Sequence, residues 1–587
     1  MYSRTDLLVT PEAQCEGSGD GSVNGQVLAA LRKAAEDLAV RSPDAAASVL
    51  IHTLSLVREG DSARPQLLAE AVRLLSFAGR LSEARLLGRS ALRGESDEAT
   101  KALVEAGLAE ALMYTGRADV VVVRVRRALA AEGVPDEVRA SLLAIEAHGL
   151  LYASDVRAAR YTAEAAVDLA RSCDSRAALI FAILAQSVVA RAEGRLQDSL
   201  SATGEAVSLG GEARGPERHR HPRLWAARAA AALDRFTEAE TGLDRGQQEA
   251  EAAGAMWSLP LWHCFRAKLH LAEGKFDQAE TQVRTGLERA SRLTAHLRNI
   301  CMLGVLAQIE VHRGNPAGAR EYMRRIGQLM SQGLNAVEDQ VRWELALVHD
   351  ACGDYDRAAR QAVQVAEALP GRLLLLTDDP SVAPQLVRML IRAGAVREAE
   401  YVCAAVGGLA KANPSVPSLV GSAFHAQGLL RSDAEMLRAA VHAYRDSPRK
   451  LAAASALEDA AKAERSAGRR DGAAVLGQEA LSVYGTLGAV RAASRTQGLL
   501  RDVGGCHVTR TRDVVSRDAA GWSVLTPAER RVADLVTQGM TNHAVAAALS
   551  VSPHTVDSHL RKVFRKLGVA NRVALTRLTL HRDHGES

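Results

Sequence analysis

Apolar residues recur at spacings of three and four near the end of this chain, which is the spacing of one face of an α-helix. The clearest apolar stripe consists of Val556, Leu560, Val563, Phe564 and Leu567. The opposite face of the same helix carries the polar residues Asp557, Ser558, Arg561, Lys562 and Arg565. The pattern predicts a helix with one side in a protein core and the other side polar and basic.

Capping residues divide residues 525–587, which we call the C-terminal module, into four short helices. Thr526 is a candidate N-cap, and Glu529 three residues later completes a capping box. The expected caps of the later helices are Thr541, Ser552 and Asn571. The first and third helices are expected to end at Gly539 and Gly568.

Two short helices joined by a tight turn, the second basic on its exposed side, form a helix-turn-helix. Such a helix fits the major groove of DNA, where the base edges offer distinguishable donors and acceptors. The alternative is a solvated charged face on an ordinary helix. Four capped helices in this order favour DNA binding.

The module resembles the LuxR-type DNA-binding domain. The residues that match that family's pattern are Thr526, Glu529, Gly539, Thr541, Asn542, Ala546, Leu549, Ser552, Thr555, Val556, His559, Lys566, Leu567, Gly568, Val569 and Arg572. The resemblance implies base reading by Asp557, Ser558 and Arg561 in a recognition helix over residues 552–567. It implies phosphate contacts from Thr541, Asn542, Ser552, Thr555, Lys562 and Arg565. It also implies dimerisation through the last helix, with Val573, Leu575 and Leu578.

Asp557 departs from the family pattern, because many relatives carry lysine at this position. An aspartate in the groove can accept a hydrogen bond from cytosine N4, which predicts a difference in specificity. The alternative is that Asp557 pairs with Arg561 one turn later and contacts no base.

The preceding residues carry a recurring signature, a small or turn-forming residue with an alanine five positions later. It is clearest from Gly274 to Ala279, and it starts at residues 154, 194, 234, 274, 314, 353 and 394, which are 39 to 41 residues apart. A period this regular predicts stacked helical hairpins with an extended concave surface, in which the alanine allows close helix approach. Ser432 marks a degenerate copy. The units resemble tetratricopeptide repeats with lengthened helices.

Three further segments resemble the C-terminal part of the large ATP-binding LuxR regulators, known as the LAL family. They are Gly428-Leu-Leu-Arg-Ser-Asp433, Tyr484-Gly-Thr-Leu-Gly-Ala489 and Gly521-Trp522. This chain lacks the phosphate-binding motif of that family's ATPase, since Gly274-Lys275 is followed by Phe276. We therefore expect no cofactor, and because no catalytic or metal-ligating set is evident, we expect no enzyme.

Composition completes the predicted organisation. The chain has 4% aromatic residues and 16 prolines, which favours an all-α protein. The expected parts are a disordered N-terminus (residues 1–24), a repeat array (25–503), a linker (504–524) and the module (525–587).

The module has nine Lys/Arg against five Asp/Glu, which accounts for the net charge of +4. Seven scattered cysteines and the lack of a long apolar run favour a cytoplasmic, nucleoid-associated protein without membrane contact.

Two groups in the array are weaker candidates for sites. The run Arg218-His-Arg-His-Pro222 could bind a metal or phosphate, although a solvated loop is the favoured interpretation. Tryptophans are more often core residues, but Trp225, Trp257 and Trp262 are the place to look for an effector pocket.

The leading hypothesis is a homodimeric, sequence-specific bacterial transcriptional regulator that binds double-stranded DNA. Its array would sense a protein, peptide or small molecule, and by analogy with the family it would be an activator. The alternative is a DNA-anchored interaction scaffold without ligand-controlled regulation. The sequence does not identify the effector or the operator. It also leaves open whether the protein activates or represses transcription and whether the array dimerises.

Overall fold

The computed structural model describes residues 25–39, 42–93, 96–211, 219–293, 298–334, 338–503, 525–538, 540–549, 551–567, 569, 572 and 575. Within these ranges the chain forms 29 α-helices and no strand, so the predicted all-α fold is confirmed. None of the described helices is long and apolar enough to cross a bilayer. The chain divides into two compact units, Met1–Val503 and Gly504–Ser587. The N-terminus predicted to be disordered and the predicted linker lie outside the described residues.

The first unit contains 26 helices. They are α1 Gly25–Ala39, α2 Pro43–Leu56, α3 Arg64–Ala78, α4 Leu81–Ala91, α5 Glu98–Tyr114, α6 Ala118–Leu129, α7 Asp136–Tyr152, α8 Val156–Ser172, α9 Arg176–Ala192, α10 Leu196–Gly211, α11 Pro222–Ala232, α12 Phe236–Ala252, α13 Leu259–Glu273, α14 Phe276–Leu293, α15 Asn299–His312, α16 Pro316–Ser331, α17 Glu338–Ala351, α18 Tyr355–Ala368, α19 Leu374–Asp378, α20 Val382–Arg392, α21 Val396–Ala412, α22 Pro417–Arg431, α23 Ala434–Tyr444, α24 Lys450–Ser466, α25 Arg470–Leu487 and α26 Val490–Asp502. Short 3₁₀ turns cover Met256–Ser258 and Leu369–Gly371. The second unit contains α27 Pro527–Thr537, α28 Asn542–Leu549 and α29 Pro553–Leu567.

The hairpin turns contain a residue in the left-handed region of backbone space, at the predicted positions and at three further turns, Gly79, Gly116 and Gly468. These residues are Gly79, Gly116, Ser154, Gly194, Asp234, Gly274, Gly314, Gly353, Gly394, Ser432 and Gly468. Glycine adopts this conformation at little cost, whereas Ser154 (φ 63°) and Asp234 (φ 60°) adopt it against the steric preference of their Cβ atoms. The predicted repeat of helical hairpins is therefore confirmed turn by turn.

The residue five positions after each turn is buried where two helices of a hairpin meet. The alanines at this position are at most 1% exposed, and they are Ala84, Ala159, Ala239, Ala279, Ala319, Ala358, Ala399 and Ala473. In the hairpin that begins at Gly194 a serine, Ser199, replaces the alanine. Its Oγ lies 3.1 Å from Ser187 Oγ, so the buried hydroxyl has a partner and the close contact is kept.

One insertion interrupts the regular array between α18 and α20. It contains the 3₁₀ turn Leu369–Gly371 and the short helix α19, which packs against α9 and α11. Asp378 ends α19, and its carboxylate contacts Arg191 Nη1 at 2.9 Å and Arg228 Nη2 at 3.2 Å. The insertion therefore joins parts of the array that are far apart in the sequence.

The turns of the middle hairpins also contact the last helices of the array. Asn413 Nδ2 donates to the Gly194 carbonyl at 2.8 Å, and Asp234 Oδ2 accepts from the Ser418 backbone N–H at 2.8 Å. Asp234 Oδ1 lies 3.2 Å from Arg449 Nε, and both side chains are 4% exposed. The expected extended concave surface is thus partly closed, because hairpins distant in sequence meet across the inside of the array.

The segment at residues 219–221 is not the solvated loop favoured by the sequence analysis. His219, Arg220 and His221 are 2%, 8% and 5% exposed. Arg220 Nη1 pairs with Glu110 Oε1 at 2.7 Å, and its guanidinium lies over the Phe181 ring. Arg220 is part of the core because a carboxylate and aromatic rings from earlier helices compensate its charge and cover its surface. Arg218 lies outside the described residues.

The turns that lack glycine provide a test of the closing contact. Asp234→Gly removes the steric cost of the positive φ but leaves buried Arg449 without its closest carboxylate. We therefore expect the free energy of unfolding to fall by about 3 kcal/mol. Ser432→Gly is the matched control, because Ser432 also has a positive φ (53°) but is exposed, and this change should stabilise by about 1 kcal/mol. Urea unfolding of the full chain measures both. A gain in stability from both substitutions would contradict a structural role for the Asp234–Arg449 pair.

Candidate DNA-binding interface

The apolar stripe predicted from the sequence forms the core of the second unit. Val556 and Val563 of α29 have no exposed surface, and Leu560 is 5% exposed. Phe564 and Leu567 are partly buried against the same cluster, to which α27 and α28 also contribute. This packing leaves the opposite side of α29 facing outward.

The predicted caps of the first three helices are confirmed. Thr526 and Glu529 form the capping box: Glu529 N–H donates to Thr526 Oγ1 at 3.3 Å, and Thr526 N–H donates to Glu529 Oε2 at 2.9 Å. Thr541 Oγ1 accepts from the Ala544 N–H at 3.3 Å, and Ser552 Oγ accepts from the Thr555 N–H at 3.1 Å. Gly539, Gly568 and Asn571 lie outside the described residues.

Glu529 has a second role that the sequence analysis missed. Lys566 Nζ lies 2.6 Å from Glu529 Oε2, which ties the start of α27 to the end of α29. The hydrogen bond from Lys566, together with that from the Thr526 backbone, lowers the pKa of Glu529 to about 2. The carboxylate therefore stays ionised at neutral pH, and this contribution to stability is lost only as the pH falls from 4.5 towards 2.

Arg572 orients a residue that is predicted to contact phosphate. Its Nη2 donates to the Met540 carbonyl at 2.9 Å and to Asn542 Oδ1 at 3.1 Å. The Asn542 side-chain carbonyl is thereby occupied, and its amide N–H groups remain as donors suited to a phosphate oxygen. The family pattern includes Arg572, but nothing in its sequence position indicated this bracing role.

The outward face of α29 carries the residues predicted to read bases. Ser558 and Arg561 are exposed, and the Arg561 side chain keeps 76% of its surface. Arg561 Nη2 donates to Asp557 Oδ2 at 2.7 Å. The pairing that the sequence left as an alternative is therefore present in the structure. An exposed pair one turn apart contributes only about 0.3–0.5 kcal/mol, so it restrains these side chains weakly.

Of the residues predicted to contact phosphate, Thr541 and Asn542 lie at the start of α28, Ser552 and Thr555 lie at the start of α29, and Lys562 lies on the outer side of α29. Thr541, Ser552 and Lys562 are exposed, and Thr555 is half-buried. Ser552 Oγ and Thr555 Oγ1 lie 2.8 Å apart at the helix N-terminus, where backbone N–H groups favour an anion. The side chain of Arg565 lies outside the described residues.

The predicted dimerisation residues are placed only in part. Leu575 is fully buried in the core of its own unit, so its side chain is not exposed to a partner. Val573 and Leu578 lie outside the described residues.

The predicted tryptophan pocket is small and does not include all three rings. Trp225 and Trp257 line a cavity of about 30 Å³, which has room for about two water molecules. Trp262 has no exposed surface, and its Nε1 donates to Ser258 Oγ at 3.3 Å. Trp257 and Trp262 fill hairpin interiors, whereas Trp225 also lines a second cavity of about 110 Å³.

Comparison with known proteins places the module in a family. Residues 523–579 match the family described as bacterial regulatory proteins, luxR family. The protein named "Putative HTH-type transcriptional regulator" of Mycobacterium bovis is 44% identical over 85 residues, which cover 14% of this chain and 10% of that protein. The transcriptional regulatory protein UhpA of Escherichia coli is 43% identical over 75 residues, covering 13% of this chain and 37% of UhpA.

The nitrate/nitrite response regulator protein NarP of Escherichia coli is 39% identical over 71 residues, which cover 12% of this chain and 33% of NarP. The matched segments thus span between a tenth and somewhat more than a third of these relatives' lengths. The helices, caps and exposed basic face lie within the matched residues. The C-terminal unit of this chain is therefore a helix-turn-helix domain of the LuxR family.

Proposed function

We propose that this protein is a sequence-specific transcriptional regulator that places α29 in the major groove of DNA. The supporting observation is the division of α29 into a buried apolar face and an exposed face that carries Ser558, Arg561 and Lys562. The relatives named above are called transcriptional regulators or response regulators, which supports the same role. The protein acts without catalysis, and by analogy with the family it activates its promoters.

In this proposal Arg561 is the principal base-reading residue. A guanidinium pairs with guanine O6 and N7 through two hydrogen bonds, which is worth about 1–3 kcal/mol of discrimination. This exceeds the value of the exposed pair with Asp557, so DNA can compete for Arg561. Once released, Asp557 accepts a hydrogen bond from cytosine N4, and Ser558 contacts a neighbouring base.

The phosphate contacts are proposed for Thr541, Asn542, Ser552, Thr555, Lys562 and Arg565. These residues carry donors or positive charge, and those described lie at the starts of α28 and α29 or along the outer side of α29. They set the register of the helix on DNA without reading sequence. Two modules of a dimer would place their recognition helices about 34–36 Å apart, which predicts an inverted-repeat operator.

The alternative function is a scaffold, in which the array binds a partner and the module anchors the assembly to DNA. The two functions differ in whether binding of a ligand to the array changes the affinity of the module for DNA. A sensor requires an array ligand that changes DNA affinity, because the ligand must favour one of two states. A scaffold binds its partner with DNA affinity unchanged.

The experiment that tests the proposal is a genomic DNA selection with the full chain and with the fragment 504–587. Enrichment of one inverted repeat by both supports sequence-specific regulation. A stronger signal from the fragment would indicate that the array restrains the module. If neither enriches a sequence, the proposed regulator is wrong.

Arg561→Ala should lower affinity for the selected site by about 1–3 kcal/mol and relax specificity at one base pair, because the bidentate contact is lost. Binding isotherms on the selected site and on single-base variants measure both effects. Arg531→Ala is the matched control, since Arg531 is an exposed arginine on α27 and its removal changes the net charge equally. An equal loss on every sequence from Arg561→Ala would make this residue a phosphate contact instead.

Lys562→Ala should weaken binding by a similar factor on all sequences, because a phosphate contact carries no base information. It should also reduce the slope of log affinity against log salt by about one, through the loss of one counterion-releasing contact. Titrations of the selected and a scrambled duplex at several salt concentrations measure the slope. A specificity change without a change in slope would place Lys562 at a base edge.

A further inference from the structure

Four cationic side chains converge inside the array around one carboxylate. Arg191, Arg228 and Lys268 come from α9, α11 and α13, and Arg298 directly precedes α15. We call these four residues the cation cluster. The carboxylate is that of Asp378, and all four cations hold its pKa well below its usual range. Asp378 is therefore ionised, and it faces four positive charges.

The cation cluster is only partly compensated. Asp378 pairs with Arg191 and Arg228, whereas no carboxylate of the described residues pairs with Lys268 or Arg298. Arg298 Nη2 donates to the Tyr152 hydroxyl at 3.0 Å, and its Nε is buried without a hydrogen-bond partner. Lys268 and Arg298 are half-buried. A charge that is partly withdrawn from water and lacks a counter-charge is unfavourable, so the site favours an additional anion.

Neighbouring ionisable groups do not restore the balance. Burial raises the pKa of Glu344 to about 8, so this carboxyl is largely protonated at neutral pH, and its Oε2 has no hydrogen-bond partner. A hydrogen bond from Cys264, together with Lys268 and Arg298, lowers the pKa of the Cys301 thiol. Even with Cys301 as a thiolate, four positive charges face two negative ones. The protonated Glu344 adds a hydrogen-bond donor for an anion.

The cation cluster opens onto space that can hold a ligand. A cavity of about 110 Å³ is lined by all four cations, by Glu344 and by the rings of Tyr152 and Trp225. A second cavity of about 310 Å³ shares Lys268, Gln340 and Asp378 with the first. The smaller cavity suits a group of a few atoms, and the larger one lies at the lower end of the range for small-molecule sites, about 300–1,000 Å³.

We propose that the interior of the array binds a small anionic molecule, whose carboxylate or phosphate group contacts Lys268 and Arg298. An apolar or aromatic part of the ligand packs against Trp225 and Tyr152. This proposal rests on the array acting as the ligand sensor of the proposed regulator, and it names the chemical class of the effector. A second anion also competes with Asp378 for Arg191 and Arg228, so binding alters the contact that ties α19 to α9 and α11.

The test uses the full chain without DNA, so its result is independent of the DNA-binding proposal. The probes are benzoate and phenyl phosphate, with neutral benzamide as the control, titrated at constant ionic strength by calorimetry and ligand-observed NMR. We expect saturable binding of at least one anion and none of benzamide. Benzoate alone would identify a carboxylate site and phenyl phosphate alone a phosphate site. Absence of saturable binding for both anions, or equal binding of benzamide, would overturn the proposal.

Two substitutions with opposite expected effects separate binding from damage to the fold. Lys268→Gln should weaken anion binding at least about tenfold, because it removes a cation that has no carboxylate partner. Asp378→Asn should strengthen it several-fold, because it removes the internal competitor, and the anion should raise Tm more for this variant than for the wild-type chain. Lys411→Gln, an exposed lysine on α21, is the matched control and should change nothing. If the wild-type chain and the three variants bind the anion with equal affinity, the anion binds outside the cation cluster.

Discussion

The array depends on one local contact, the close approach of two helices directly after a left-handed turn. The turn residue reverses the chain, and the buried residue five positions later, an alanine in most hairpins, packs the second helix on the first. Where a serine or aspartate takes the turn position, the conformation costs about 1–2 kcal/mol. Repetition of this contact aligns the first helices of successive hairpins, so that Arg191, Arg228 and Lys268 lie about one repeat apart and reach the same interior space.

The features that could be predicted from the sequence are those determined within a few residues. The capping box of Thr526 and Glu529, the hairpin turns and the buried stripe of α29 all depend on neighbours along the helix. The contacts that could not be predicted join residues far apart, such as Glu529 with Lys566 or Asp234 with Arg449. These pairs depend on how far the array closes and how helices cross, which no local pattern encodes.

The same limit explains the errors at the candidate sites. Residues 219–221 have the composition of an exposed loop, yet Glu110 and the Phe181 ring, distant in sequence, make burial favourable. The tryptophans suggested an aromatic pocket, but Trp257 and Trp262 are core residues, and Trp225 lines a cavity whose other walls are mainly charged and polar side chains. At the module the pair of Asp557 with Arg561 could be foreseen because the two residues lie one helical turn apart. A base contact by Asp557 depends on DNA, and no spacing within the helix determines it.

The buried pair between Asp234 and Arg449 has a consequence for how this protein can change in evolution. In an open solenoid each repeat contacts only its neighbours, so whole repeats can be duplicated or deleted with modest effect. Here a turn of the hairpin formed by α11 and α12 contacts the residue that precedes α24. Adding or removing one hairpin between them would displace the two partners by a full repeat. Lineages of this array should therefore vary in length outside this interval and keep the number of repeats within it.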